Sequence, residues 1–148
     1  MRDVKTIGAD DARRGIAAVR AAAERRDAAV VVAVADAYGE LLALLRMDGA
    51  GPADIASAIA KAYTAARLGQ NTSDIDAASR NPKTGFDLAG FADPRITGLV
   101  GGVTLEFEDQ VVGAVGVSGA TAATEEALAE AGVAAMLEPY RPVAVQEG

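Results

Sequence analysis

The chain has 148 residues, 51% of them hydrophobic and only 4% aromatic, with a formal net charge of −7 and neither cysteine nor histidine. The length suffices for a real core built from Ala, Val, Leu and Ile; the missing Cys excludes disulfides and thiolate chemistry, and the missing His removes the commonest metal ligand and general base. The charge argues against nucleic acid and anionic membranes as partners, no run of about 18 apolar residues marks a membrane span, and Met1-Arg2-Asp3-Val4-Lys5 carries no apolar secretory stretch, so a cytoplasmic location is expected.

Ala9 to Arg26 reads as a first helix. Asp10 and Asp11 suit its N-terminus, Arg25 and Arg26 its end, and Ala12, Ile16, Val19 and Ala23 form an apolar stripe. Two apolar runs follow, Val30–Ala35 and Leu41–Leu45, parted by Asp36, Tyr38 and Gly39. They read as paired strands, and because both are apolar on both faces, both are expected in the middle of a covered sheet. Alternation puts Leu42, Leu44, Arg46 and Asp48 on one face of the second strand. Arg46 and Asp48 emerge where that strand leaves the core, as a structural ion pair or as the wall of an anion-binding pocket. Gly51-Pro52 opens a helix to about Leu68. Ile55, Ile59, Ala62 and Ala66 make its core face, and Ser57, Lys61, Thr64 and Leu68 a second one.

Thr72-Ser73-Asp74 caps a short helix through Ser79. Residues 81–98 hold three Gly and two Pro and read as a long loop, functional or mobile, with Phe86 and Phe91 to anchor it or, as the second choice, to line a pocket. After Gly101-Gly102, Val103, Leu105 and Phe107 alternate with Thr104, Glu106 and Glu108, the pattern of a half-exposed strand. Val111–Val117 is apolar throughout, hence a central strand, and its Gly113 and Gly116 leave room for a close neighbour. A last helix runs from about Thr121 to Leu137. Pro139 and Pro142 then end regular structure, and the tail 138–148 is expected to be loose or strapped to a neighbour. This order gives an α/β (α+β) fold in a single domain, residues 1–148, with about five antiparallel strands and helices packed on the sheet.

No P-loop and no G-x-G-x-x-G turn is present. Gly116-Val117-Ser118-Gly119 is not a nucleophile elbow, and no His is there to activate Ser118. A Ser-Gly before a helix suits a ligand oxygen or a cap. Glu125 and Glu126 are adjacent, do not face one site, and suit a first helical turn. The short connection from Asp48 to the helix at Pro52 implies that Lys61 lies over the place where Arg46 emerges. Three functions fit. One is a binding module for a small anionic ligand, with Arg46, Asp48, Lys61, Thr64, Gly101, Gly102 and Ser118 as contacts. The second is an enzyme on a small carboxylate or carbonyl compound, with Asp36, Asp48 or Lys61 as acid/base group and Arg46 as clamp. The third is a structural oligomer. No metal site is predicted.

Five motifs stand in order: V-A-V-A-D-A-Y-G at 32–39, R-M-D-G-A at 46–50, I-A-K-A-Y-T-A-A at 59–66, G-G-V at 101–103 and G-A-V-G-V-S-G at 113–119. Together they resemble the GlcG/HbpS-like haem-binding family, whose fold also serves as the C-terminal domain of some PduO-type corrinoid adenosyltransferases. The resemblance spans residues 9–137. It implies a profilin-like or PAS-like domain, a homo-oligomer of two or more copies, and a pocket for haem, another tetrapyrrole or a small anionic metabolite. The chain departs from the family pattern at Thr104, where Pro is usual, at the turn Glu108-Asp109-Gln110, where Gly is, and at Glu125, where Asp is. Any haem would be held without His; Tyr38, Tyr63, Tyr140, a Met or a Thr hydroxyl remain as axial candidates.

Overall fold

In this computed structural model, residues 1–143 are described. The elements are α1 (Ala9–Arg25), β1 (Val31–Asp36), β2 (Leu41–Arg46), α2 (Ala53–Leu68), α3 (Thr72–Ser79), β3 (Gly102–Phe107), β4 (Gln110–Ser118) and α4 (Ala122–Leu137). Short 3-10 turns occupy Leu88–Phe91 and Glu138–Tyr140.

Alternation along β1 divides the core. Val30, Val32 and Val34 face a cluster that includes Val19, Val115, Val117, Leu128 and Met136. Val31, Ala33 and Ala35 face Ala58 and Ala62 of α2. A strand buried on both sides needs helices on both sides: α1 and α4 cover one face of the sheet, α2 the other. The strands are antiparallel in the order β2-β1-β4-β3. The sheet thus has four strands, not about five, because the Gly- and Pro-bearing residues 81–98 contribute a 3-10 turn and no strand.

β1 and β4 are central, as their composition requires, but β2 is an edge strand. Its apolar side chains serve both faces without a further strand beside it: Leu42, Ala43 and Leu45 pack toward the α1 side, Leu44 toward α2. A bulge that skips Leu42 breaks the strict alternation and moves Leu42 off the face of Leu44 and Arg46.

α2 lies close on the sheet because Gly102 and Gly116, partners across β3 and β4, lie beneath it. A Cβ on Gly116 would run into the carbonyl of Ala58, and one on Gly102 into the carbonyl of Lys61. The close neighbour expected along β4 is therefore α2 at Gly116, and at Gly113 it is the Ile7 side chain. The helix is turned so that Ala58, Ala62, Ala65 and Ala66 are buried, while Ile55 and Ile59 are half-buried.

The segment after α4 is not loose at its start. The Tyr140 hydroxyl donates to Asp11 Oδ1 at 2.7 Å, and its ring lies 5.7 Å from that of Phe107. The rest of the tail, 144–148, lies outside the described residues. Phe86 and Phe91 are both exposed and pack edge to face on each other, ring centres 5.8 Å apart. Among the described residues no helix is long and apolar enough to cross a membrane.

Candidate functional site

Lys61 is the buried cation of α2, 3% exposed. Its ammonium donates to the carbonyl of Val117 at 2.9 Å and to Glu125 Oε2 at 2.7 Å. The chain delivers that carboxylate by a sharp reversal: β4 ends at Ser118, Gly119 turns at φ 121°, and Thr121 caps α4 by accepting the Thr124 N–H. Glu125 then points back, and its Oε1 accepts the N–H groups of Gly119 and Ala120 at 2.9 and 3.2 Å. Ser118 donates to Asp54 Oδ1 at 2.8 Å, tying the same turn to the start of α2. An ammonium has three donors, and two are committed here.

A cavity of about 350 Å³ opens beside this cluster. Lys61, Ser118, Glu125 and Ala122 line one side, Asp76 and Arg80 of α3 another, and Gly98, Leu99 and Val100 a third. Arg80 donates to Asp76 Oδ1 at 2.8 Å and is otherwise exposed. Leu99 is 57% exposed at the rim.

The loop that supplies Leu99 is held by two neighbours on α2. The Tyr63 hydroxyl donates to the Asp93 carboxylate and accepts from Arg95 Nη2 at 2.8 Å, and the Arg95 guanidinium lies 3.8 Å from the centre of the Tyr63 ring. The Thr64 hydroxyl accepts the Thr97 N–H at 3.0 Å and donates to the Arg95 carbonyl at 3.3 Å. The hydrogen bond to Asp93 and then burial raise the Tyr63 phenol above its ordinary pKa, and the same bond holds Asp93 below its own.

Of the expected contacts, Lys61 and Ser118 line this cavity. Gly101 stands behind it, its carbonyl accepting the Val117 N–H at 3.0 Å, and Gly102 lies under α2. Thr64 faces the loop. Asp36 shapes its hairpin by accepting the Tyr38 and Glu40 N–H groups at 2.9 and 3.0 Å. Arg46 and Asp48 are elsewhere. Both are exposed, no ion pair joins them, and with Arg20 and Glu24 they line a separate surface cavity of about 370 Å³. Val31 pairs with Arg46 on one side and Ser118 on the other, so β1 lies between Arg46 and the cluster, two strand spacings or about 10 Å in all. Lys61 reaches the other way, toward α4. The expected convergence of Arg46, Asp48 and Lys61 does not form, so Arg46 is not placed to clamp a substrate beside Lys61.

Glu125, Asp54 and Arg80 were not foreseen. Glu125 was hidden by Glu126, since adjacent acids at a helix start read as a favourable first turn. The available signal was its place six residues past Gly119, where a helix N-terminus faces the end of a buried strand. Among the described residues no three His, Cys, Asp or Glu side chains converge on a metal site.

Residues 7–134 match the family model described as haem degrading protein HbpS-like. The chain is similar to protein GlcG of Escherichia coli strain K12, 40% identical over 103 residues that cover 70% of this chain and 74% of that protein. It is similar to the solved structure of Klebsiella pneumoniae protein ORFY at TM-score 0.86, with 33% identity, 92% of this chain and 94% of that one covered. It is also similar to a double mutant of Streptomyces reticuli HbpS at TM-score 0.81, with 30% identity, 90% and 89% covered. With the family model matched over most of its length, the chain belongs to the HbpS-like family.

Proposed function

We propose that this protein is a small-ligand-binding homo-oligomer, that haem or a related tetrapyrrole is its ligand class, and that the cavity beside Lys61 receives the ligand's carboxylates. The observation that carries the reading is the Lys61 ammonium, buried at the cavity wall with one donor uncommitted. The Arg80 guanidinium at the rim adds a second cation. Leu99, Val100 and Ala122 offer an apolar surface for a ring edge.

These residues fit the periphery of a porphyrin and not its iron. The chain has no His or Cys, and no Tyr or Met lines the cavity. The phenols of Tyr63 and Tyr140 are spent on Asp93 and Asp11. Haem, when bound, would supply an iron lacking a strong protein ligand, so its spectrum should be high-spin. The modest cavity volume supports a second occupant on the same cations, a small anionic metabolite that fills it whole.

Parallel titrations with haem and with metal-free protoporphyrin test the reading. Comparable affinities, each weakened at least tenfold in Lys61→Met and Arg80→Ala, are expected. No binding of either compound, or binding unchanged in both variants, would overturn it.

A further inference from the structure

The two edges of the sheet are treated differently. Along β3, the start of α3 closes the edge. Thr72 Oγ1 accepts the Gly102 N–H at 2.9 Å, and Asn71 Oδ1 accepts the N–H and the hydroxyl of Thr104 at 2.9 and 3.1 Å. The donors another strand would need are therefore taken.

Along β2, no side chain caps the edge among the described residues. The Met47 N–H donates to the Val30 carbonyl at 3.0 Å, and Val31 stands opposite Arg46. This fixes the ladder: Ala43 and Leu45 turn their main-chain groups to β1, and Leu44 and Arg46 turn theirs outward. The bulge lies at Leu42, before that stretch, and no hydrogen bond among the described residues engages those outward groups. Such an edge is a template for another strand. Its surroundings are apolar. Leu41 is 46% exposed, Leu44 adjoins Ile55 and Ile59, and a groove of about 260 Å³ continues from Leu41 over Ala56, Ile59 and Ala60.

We propose that β2 pairs antiparallel with β2 of a second copy of this chain about a two-fold axis, joining two four-stranded sheets into one. This names the surface for the self-association proposed above and rests on it. Charge selects the second copy as occupant. Glu40, one of whose oxygens accepts from Arg95 of its own chain at 3.1 Å, precedes the strand, and Arg46 ends it. Antiparallel pairing of identical strands sets the acidic end of one against the basic end of the other, twice over. Arg46 is exposed and has no ion pair among the described residues, so it is available to the partner's acid.

Light scattering across the micromolar range tests this on the wild type, on Leu44→Lys, on Glu106→Lys at the closed β3 edge, and on a charge swap. The wild type and Glu106→Lys should have at least the dimer mass. Leu44→Lys should associate at least tenfold more weakly with an unchanged circular dichroism spectrum. Glu40→Arg and Arg46→Glu should each weaken association, and the two together should restore it. A monomeric wild type would sink self-association altogether. An assembled wild type with Leu44→Lys folded and equally assembled would sink the β2 surface alone. Should Leu44→Lys not fold, the swap decides: single variants that associate as the wild type does overturn the proposal.

Discussion

Lys61 Nζ and Glu125 Oε2 lie 2.7 Å apart, on residues 3% and 7% exposed, and join the middle of α2 to the first turn of α4. Taking both charges out of water costs several kcal/mol each. The Val117 carbonyl takes a second donor of the ammonium and the Gly119 and Ala120 N–H groups serve Glu125 Oε1, which offsets part of that cost and leaves one ammonium donor for the cavity. The pair therefore fixes the turn after β4, and that turn carries Ser118 into the cavity.

Breaking one side of this pair should be far worse than removing both. Glu125→Ala leaves a buried ammonium facing an empty space and should destabilise the protein by about 3–5 kcal/mol. The double variant Lys61→Met, Glu125→Leu should recover much of the loss. Urea unfolding measures both, and a loss under about 1 kcal/mol for Glu125→Ala would contradict a buried, coupled pair.

The packing of α2 on glycine makes a sharper steric prediction. Gly116→Ala drives a methyl into the Ala58 carbonyl, which belongs to the helix main chain and cannot yield as a side chain would. A loss of about 1–3 kcal/mol or more is expected. Gly90→Ala is the control, because nothing lies within 4 Å of its Cβ position. Thermal melts of the two should separate clearly; equal melting would refute the close approach.

Loosening the loop should be graded. Thr64→Val strips the Thr97 N–H of its acceptor and should cost about 1–3 kcal/mol locally. Tyr63→Phe removes the bonds to Asp93 and Arg95 but keeps the ring under the guanidinium, so its effect should be smaller. Hydrogen exchange at the Thr97 and Leu99 amides reports both. Protection that stays at wild-type level in Thr64→Val would count against the latch.

Acid stability should report Asp11 and Asp93. Burial pushes Asp11 up, but hydrogen bonds from the Gly8 N–H, Tyr140 and Arg14 outweigh it and hold the carboxyl below 3.8. The Tyr63 hydroxyl and the Arg95 N–H do the same for Asp93. A depressed carboxyl contributes stability that is present above its unfolded pKa and lost as pH falls through its folded one. The stability loss should thus fall below pH about 4, and Asp11→Asn or Asp93→Asn should flatten it. Tyr63 and Tyr140 are raised above 10.0, first by their bonds to Asp93 and Asp11, so their contribution is intact below that pH and lost above it. Denaturant titrations across both ranges check the signs.

What could be read in advance followed from pattern and spacing. Alternation and apolar runs gave α1, the β1–β2 pair, α2, the central β4 and α4, because burial on one or both faces leaves its period in the chain. The edge position of β2 was not legible: Leu41–Leu45 is apolar on both faces, and only the pairing of β1 with β4 shows which strand takes the centre. At the site, Lys61 and Ser118 were found, one as a cation on a helix face, the other as a hydroxyl where a strand meets a helix. Their partners were not, since Glu125 is distant in sequence from Lys61 and meets it only through the turn at Gly119. Arg46 and Asp48 were joined by sequence proximity, and the fold separates them from Lys61 by placing β1 between.

A crystal structure of the protein with haem bound decides where the ligand sits. A porphyrin edge is expected against Leu99 and Val100, with its carboxylates within hydrogen-bond distance of Lys61 and Arg80 and no protein side chain on the iron. Haem seated instead in the apolar cavity of about 410 Å³ between Ile7, Phe107 and Tyr140 would contradict that placement.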